Sequence, residues 1–245
     1  MKFQYFSDVH LEHLTKNDIK NLNIIKNAPY LILAGDIGYP RDEIYDYFLS
    51  MMSLVFDHVF IIAGNHEYFS TEEDLVDKID DIIRNKLNKY NNITYLQNEI
   101  YKIPKSDIII FGGTLWTDIK KSEEKMVFNT IGDYKYILNF TPDKPRNMHK
   151  HAIKKLEEYI EMYPNNKFIV ISHHMPKKML IDPKYRNAIN NSAYASDVKI
   201  ADNKNIIKWI CGHTHTKTEI GKYLINPIGY KNQNENINFN ETFEI

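Results

Sequence analysis

The stretch His58–Glu67, HVFIIAGNHE, sets the reading of the whole chain. Val59–Ala63 is a short, unbroken apolar run rich in β-branched and aromatic residues. A strand with one wet face alternates polar and apolar residues. This one does not, so it reads as a strand buried on both faces. The run stops at Gly64, and three polar residues follow at once. Asn65, His66 and Glu67 can each bind a metal or handle a proton.

The same pattern recurs outward from this stretch. FQYFS (Phe3–Ser7) runs into Asp8 and His10, and YLILAG (Tyr30–Gly35) into Asp36. FIVIS (Phe168–Ser172) runs into His173 and His174, and IIKWICG (Ile206–Gly212) into His213 and His215. IIIFGG (Ile108–Gly113) is a sixth strand of the same type. Helical spacing links Ile44, Phe48, Met51 and Val55. It also links Leu75, Ile79, Ile82, Ile83 and Leu87, behind a capping box of Ser70 and Glu73. A third helix is predicted over about 148–163. The tail segments YLIN (Tyr223–Asn226) and INFNETFEI (Ile237–Ile245) read as antiparallel strands. Strands alternating with helices predict an α/β layered fold, and with no repeat or linker, one domain over residues 1–245.

Bulk properties narrow the function. A chain of 245 residues buries a full core without staples. Its net charge of −1 supplies no basic field, which argues against avid nonspecific nucleic-acid binding. Cys211 is the only cysteine, so no intrachain disulfide forms and a reducing compartment fits. No apolar window is long enough for a membrane span, and the first ten residues lack a signal-peptide core. The expectation is a cytoplasmic protein without a membrane partner. Abundant Lys, Asn and Ile suit an AT-rich genome and carry no chemistry.

The chemistry lies in the strand ends. A lone Asp after Gly is ordinarily a turn residue, and a lone His after a strand is ordinarily a surface residue. Five such clusters in one chain are a different matter, because α/β sheets bind ligands at the carboxyl ends of their strands. The donors are carboxylate, amide oxygen and imidazole, with no thiolate. That set suits Mn, Fe, Zn or another first-row divalent ion. It is too large for one tetrahedral zinc and about right for two ions sharing a carboxylate. Two such ions clamp a phosphorus centre for in-line displacement. Within GHTH, an extended chain would point His213 and His215 to the same side.

SDVH, GD, GNHE, SHH-MP and GHTH, in this order from Asp8 to His215, resemble the calcineurin-like metallophosphoesterases. GGTLWTD (Gly112–Asp118), HHMP (His173–Pro176) and NPIGY (Asn226–Tyr230) are similar to a subgroup of small predicted phosphohydrolases. The resemblance implies a four-layer αββα sandwich, two mainly β-sheets flanked by helices. It implies that Asp8, His10 and His215 hold one metal, that Asn65, His173 and His213 hold a second, and that Asp36 bridges them. His66 is then no ligand but faces the scissile phosphate and assists the leaving group. The implied nucleophile is a metal-bridging hydroxide between two divalent ions, with Mn first and Fe, Zn or Ni as alternatives. His213 and His215 then serve different metals.

The substrate class implied is a phosphorylated small molecule or nucleotide, monoester or diester, with nucleic acid ranked lower. The competing reading is a catalytically silent scaffold on the same fold. It is disfavoured because His66 and all seven ligand positions are present. Glu12 and Glu67 read as supports rather than ligands, and His174 as a neighbour of the ligands or of substrate. His13 and His58 read as structural. Arg41 is an option for holding phosphate. Lys144–Lys155, with His149 and His151, reads as a solvated helix face. The segments Trp116–Lys167 and Lys177–Asn205 are expected to shape specificity.

Overall fold

The structure, a computed structural model, describes residues 1–231, 233–234 and 238–245. Ile237 of the expected last strand lies outside the described residues. The strands are β1 (Lys2–Phe6), β2 (Tyr30–Ala34), β3 (His58–Ile62), β4 (Ile93–Tyr95), β5 (Glu99–Lys102), β6 (Ile108–Gly113), β7 (Lys167–Ser172), β8 (Ile206–Cys211), β9 (Thr218–Ile220), β10 (Tyr223–Ile225) and β11 (Thr242–Glu244). The helices are α1 (Lys16–Lys20), α2 (Glu43–Val55), α3 (Ile79–Leu87), α4 (Glu124–Thr130), α5 (Asp133–Tyr136) and α6 (Asp143–Met162).

Two sheets form, in the orders β11-β1-β2-β3-β4 and β5-β6-β7-β8-β10-β9. Strands β1–β4 run parallel, with β11 antiparallel on the edge. In the second sheet β6, β7, β8 and β10 run parallel, and β5 and β9 close the edges antiparallel. The six apolar runs divide three and three between the sheets.

Side-chain alternation explains why those runs are apolar throughout. Ile32, Ala34, Phe60 and Ile62 face Ile110, Ile169, Ile171 and Ile210 between the sheets. Leu31, Leu33, Val59 and Ile61 point the other way, onto Phe48, Leu49 and Met52 of α2 and Ile83 of α3. On the far side Phe111, Phe168, Val170 and Trp209 meet Ala152, Leu156 and Ile160 of α6. The result is the αββα sandwich in four layers.

Three expectations need correction. The YLIN strand, β10, pairs parallel with β8 and antiparallel only with β9. Helix α3 begins at Ile79, not behind Ser70. The Ser70 hydroxyl does accept from the Glu73 amide, but Asp74 then turns its carboxylate onto the Val76 amide. That local bond competes with the helical ladder and delays it. The stretch Lys144–Lys155 is not a solvated face, since Arg146 and His149 are buried. Arg146 donates to the Ile119 carbonyl and pairs with Glu124. The His149 Nδ1–H lies between the Leu115 and Trp116 carbonyls, at 3.1 and 3.2 Å.

Candidate metal centre

The chain leaves β1, β2, β3, β7 and β8 at the same edge of the sandwich, and the polar clusters gather there. Donor atoms of Asp8, His10 and His215 lie within 4.8 Å of one another. So do those of Asp36, His173 and His213. Asn65 joins the second group, its Oδ1 standing 3.0 Å from His173 Nε2. All seven candidate residues are therefore brought close together at this edge, Asp8, His10 and His215 in one group and Asp36, Asn65, His173 and His213 in another.

The backbone is strained to achieve this. Asp8, His10, Asp36, His213 and His215 all adopt positive φ, between 50° and 74°. Each such residue costs roughly 1–3 kcal/mol, and strain of this kind gathers at functional sites. It also corrects the extended reading of GHTH. Left-handed backbone at both histidines sends His213 to one group and His215 to the other. Glycines make room for the crowding. A Cβ on Gly64 would collide with the Asp36 carboxylate, and one on Gly212 would come 2.6 Å from Asp8 Oδ2.

The hydrogen bonds prepare the imidazoles for a cation. His10 donates through Nδ1 to Glu12 Oε1 at 2.9 Å, and His215 through Nδ1 to Gln233 Oε1 at 2.6 Å. Their Nε2 atoms then face each other 3.0 Å apart. Two lone pairs aimed at one point repel unless a cation lies between them. His173 likewise donates through Nδ1 to the Ala34 carbonyl and aims Nε2 at Asp36 Oδ2, 3.2 Å away. Orientation of ligand histidines by an acceptor on the far nitrogen is the usual support for a metal site. Asp8 and Asp36 are fully buried, and the described contacts give neither a lysine or arginine partner. Buried carboxylates of this kind need a positive charge. The donor set and its geometry fit two divalent ions.

The carboxylates and imidazoles of the cluster shift one another's pKa values. Burial opposes charge on His173, yet Asp36 raises its pKa to about 10. Burial also disfavours the Asp36 and Asp8 anions, but the facing histidines hold both carboxyls below the usual range. Burial and the neighbouring His173 hold His213 well below the usual imidazole value.

His66 belongs to neither of those two groups; its ring lies with His10 and Glu12 in a third set of donors within 4.8 Å of one another, and it lines the cavity over the centre. Its Nδ1 lies 3.1 Å from Glu12 Oε1, its Nε2 3.9 Å from Asp36 Oδ2, and its ring stacks on Phe69. Burial works against its charge, but Asp36 and Glu12 raise its pKa to about 9. Glu12 thus holds ligand His10 and non-ligand His66 with one oxygen, while its buried Oε2 has no partner among the described residues. Glu67 binds no imidazole. It accepts from the amides of Asp36, Ile37 and Gly64 at 2.7–3.1 Å and fixes the two motif loops to each other.

Sequence reasoning missed three supports. Asp133 is buried and accepts from Asn65 Nδ2 at 2.7 Å, which turns the amide oxygen toward His173. Gln233 orients His215, and Tyr230 lies over His10 with centroids 4.4 Å apart. Asp133 and Gln233 carry no local motif, and Tyr230 ends the NPIGY stretch without showing there that it packs on His10. Arg41 is not brought to the centre and pairs with Glu73 instead. His174 is buried against Trp116 and His213. His58 bonds Thr94.

The calcineurin-like phosphoesterase family model matches residues 1–217, and the chain belongs to that family. An uncharacterized protein of Acanthamoeba polyphaga mimivirus, L509, is 30% identical over 263 residues, covering 96% of this chain and 93% of L509. Among solved structures, the phosphopantetheinyl hydrolase PptH of Mycobacterium tuberculosis superposes with a TM-score of 0.72 at 16% identity, over 94% of this chain and 89% of that one. TT1561 of Thermus thermophilus gives 0.56 at 12% identity, over 92% and 88%. At these identities the two structures share the fold.

Proposed function

We propose that the chain is a dinuclear metal-dependent phosphoesterase acting on a phosphorylated small molecule. The observation that carries this reading is the pair of ligand groups, with His66 beside them and a cavity of about 620 Å³ above. Asp8, His10 and His215 would hold one ion, and Asn65, His173 and His213 the other. Asp36 would touch both. When bound, two divalent ions, Mn first, supply Lewis-acid activation of water and charge neutralisation at phosphorus.

The protein's own residues do the rest. Asp133 holds Asn65 in the useful amide orientation. Glu12 fixes the ring of His66 so that Nε2 is free, and Asp36 and Glu12 together favour its protonated form. His66 is then placed to give a proton to the ester oxygen as the P–O bond breaks. Water's oxygen would join phosphorus as the P–O bond to the alcohol breaks, the alcohol would leave with the His66 proton, and the proton given up by water would restore His66. Buried, free Cys211 fits a reducing compartment, and none of the described helices is long and apolar enough to cross a membrane.

The test is hydrolysis of p-nitrophenyl phosphate and bis-p-nitrophenyl phosphate by metal-stripped protein while Mn²⁺ is titrated back. Turnover that appears with about two Mn²⁺ per chain is the expected result. Protein that binds no Mn²⁺ would sink the reading. Two bound ions without turnover of either ester would favour the silent scaffold.

A further inference from the structure

The cavity walls carry information the motifs do not. They come from the two segments between the motifs, through Ile131–Tyr136 on one side and Ile181–Tyr194 on the other. Five aromatic rings line the space. Phe69, Tyr194 and Tyr230 are committed to histidines of the centre. Tyr136 and Tyr185 are not, and they stay 42% and 54% exposed.

The polar lining is neutral or acidic. It includes Asn190, Asn191 and Gln233, together with Asp133 and Asp182, and no lysine or arginine among the described residues. The four residues outside the description, Asn232, Glu235, Asn236 and Ile237, include no cation either. Lys184 and Lys135 lie over the rings of Tyr185 and Tyr136 rather than lining the cavity, and Lys184 also pairs with Asp182.

This lining selects a ligand. A phosphate at the centre meets histidines and, when loaded, two cations. A second phosphate would lie between acidic and neutral walls without the arginine or lysine that such groups require. An uncharged ring meets partly exposed tyrosine rings and amides instead, and aromatic side chains stack on any flat heterocycle. Resting on the phosphoesterase reading for its chemistry, we propose that the substrate carries a single phosphate on an uncharged, ring-bearing polar alcohol, in chemical class a nucleoside monophosphate. The cavity rejects further phosphates.

The probes are AMP, ADP, ATP, glycerol phosphate and adenosine. With Mn²⁺-loaded protein, phosphate release should give kcat/KM for AMP at least about tenfold above ADP, ATP and glycerol phosphate. In Tyr136→Ala/Tyr185→Ala the preference for AMP over glycerol phosphate should collapse to below about threefold, mainly through KM. Calorimetry of adenosine against the metal-stripped protein supplies a readout without catalysis. Binding to the wild type, lost in the double variant, is expected. ADP or ATP turned over as well as AMP would overturn the proposal, as would adenosine failing to bind. Adenosine binding without turnover of any ester would uphold the cavity's selectivity while refuting the catalytic reading.

Discussion

Glu12 places one carboxylate oxygen on two imidazoles, His10 at 2.9 Å and His66 at 3.1 Å. A glutamine there can accept from one ring but cannot match the anion's hold on both. Glu12→Gln should lower turnover about 10–100-fold, the usual effect of disturbing a support behind a metal ligand. His66→Ala should behave differently. Proton transfer by a placed side chain is worth about 10²–10⁴-fold, so turnover should fall by that much while elemental analysis still finds two Mn²⁺. Equal loss of metal and activity would remove His66 from its role. Asp36→Asn should weaken both ions together, and loss of one alone would refute the bridge. At this scale the candidate ligands were legible because each sits within four residues of a strand end, in a short motif. Asp133 and Gln233 were not. Asp133 is 68 residues from the Asn65 it orients, and Gln233 is 18 from His215. Contact across such separations is decided by the fold, which leaves no periodic or local mark.

Among the elements, the apolar strands were legible because both faces of each are buried, and the pattern survives without alternation. The starts of helices were less so. The Ser70 cap signal is real as a hydrogen bond, yet Asp74 diverts the chain before a helix forms. α6 was foreseen but not its burial. Its charged residues suggested a wet face, whereas Arg146 and His149 point inward to backbone carbonyls of the Leu115–Ile119 segment. That inward histidine gives a pH prediction. Burial lowers the His149 pKa below the ordinary imidazole value near 6.5. The unfolded chain therefore binds the proton more readily, and the stability from neutral His149 is complete above about pH 6.5. It is lost as pH falls through the folded value. Denaturant midpoints at pH 7.5 and 5.5 check this. In His149→Gln the loss between the two should be smaller than in the wild type by up to about 1 kcal/mol. An unchanged loss would mean that His149 does not resist protonation.

Across the molecule, the centre ties one sheet to the other. Asp8, His10, Asp36 and Asn65 follow strands of the first sheet, and His173, His213 and His215 follow strands of the second. A cation held by both groups must therefore stabilise the packing of the sandwich as a whole, since the unfolded chain cannot assemble the same ligands. Free Mn²⁺ at 100 times its dissociation constant adds about 2.7 kcal/mol per site. For a domain of this size, that corresponds to a rise in Tm of roughly 5–10 °C. The gain should depend on pH with a definite sign. Asp36 holds a proton on His173 up to about pH 10 in the metal-free protein. A metal ion must displace that proton, because only neutral imidazole is a ligand. Affinity should then rise about tenfold per pH unit for each proton released across the neutral range. Melting curves with fixed Mn²⁺ from pH 6 to 9 should show the metal-induced shift growing with pH, and in His173→Ala both the shift and its pH dependence should shrink. A shift of constant size across this range would mean that the ion binds without displacing the proton, and that it binds somewhere other than between the two sheets.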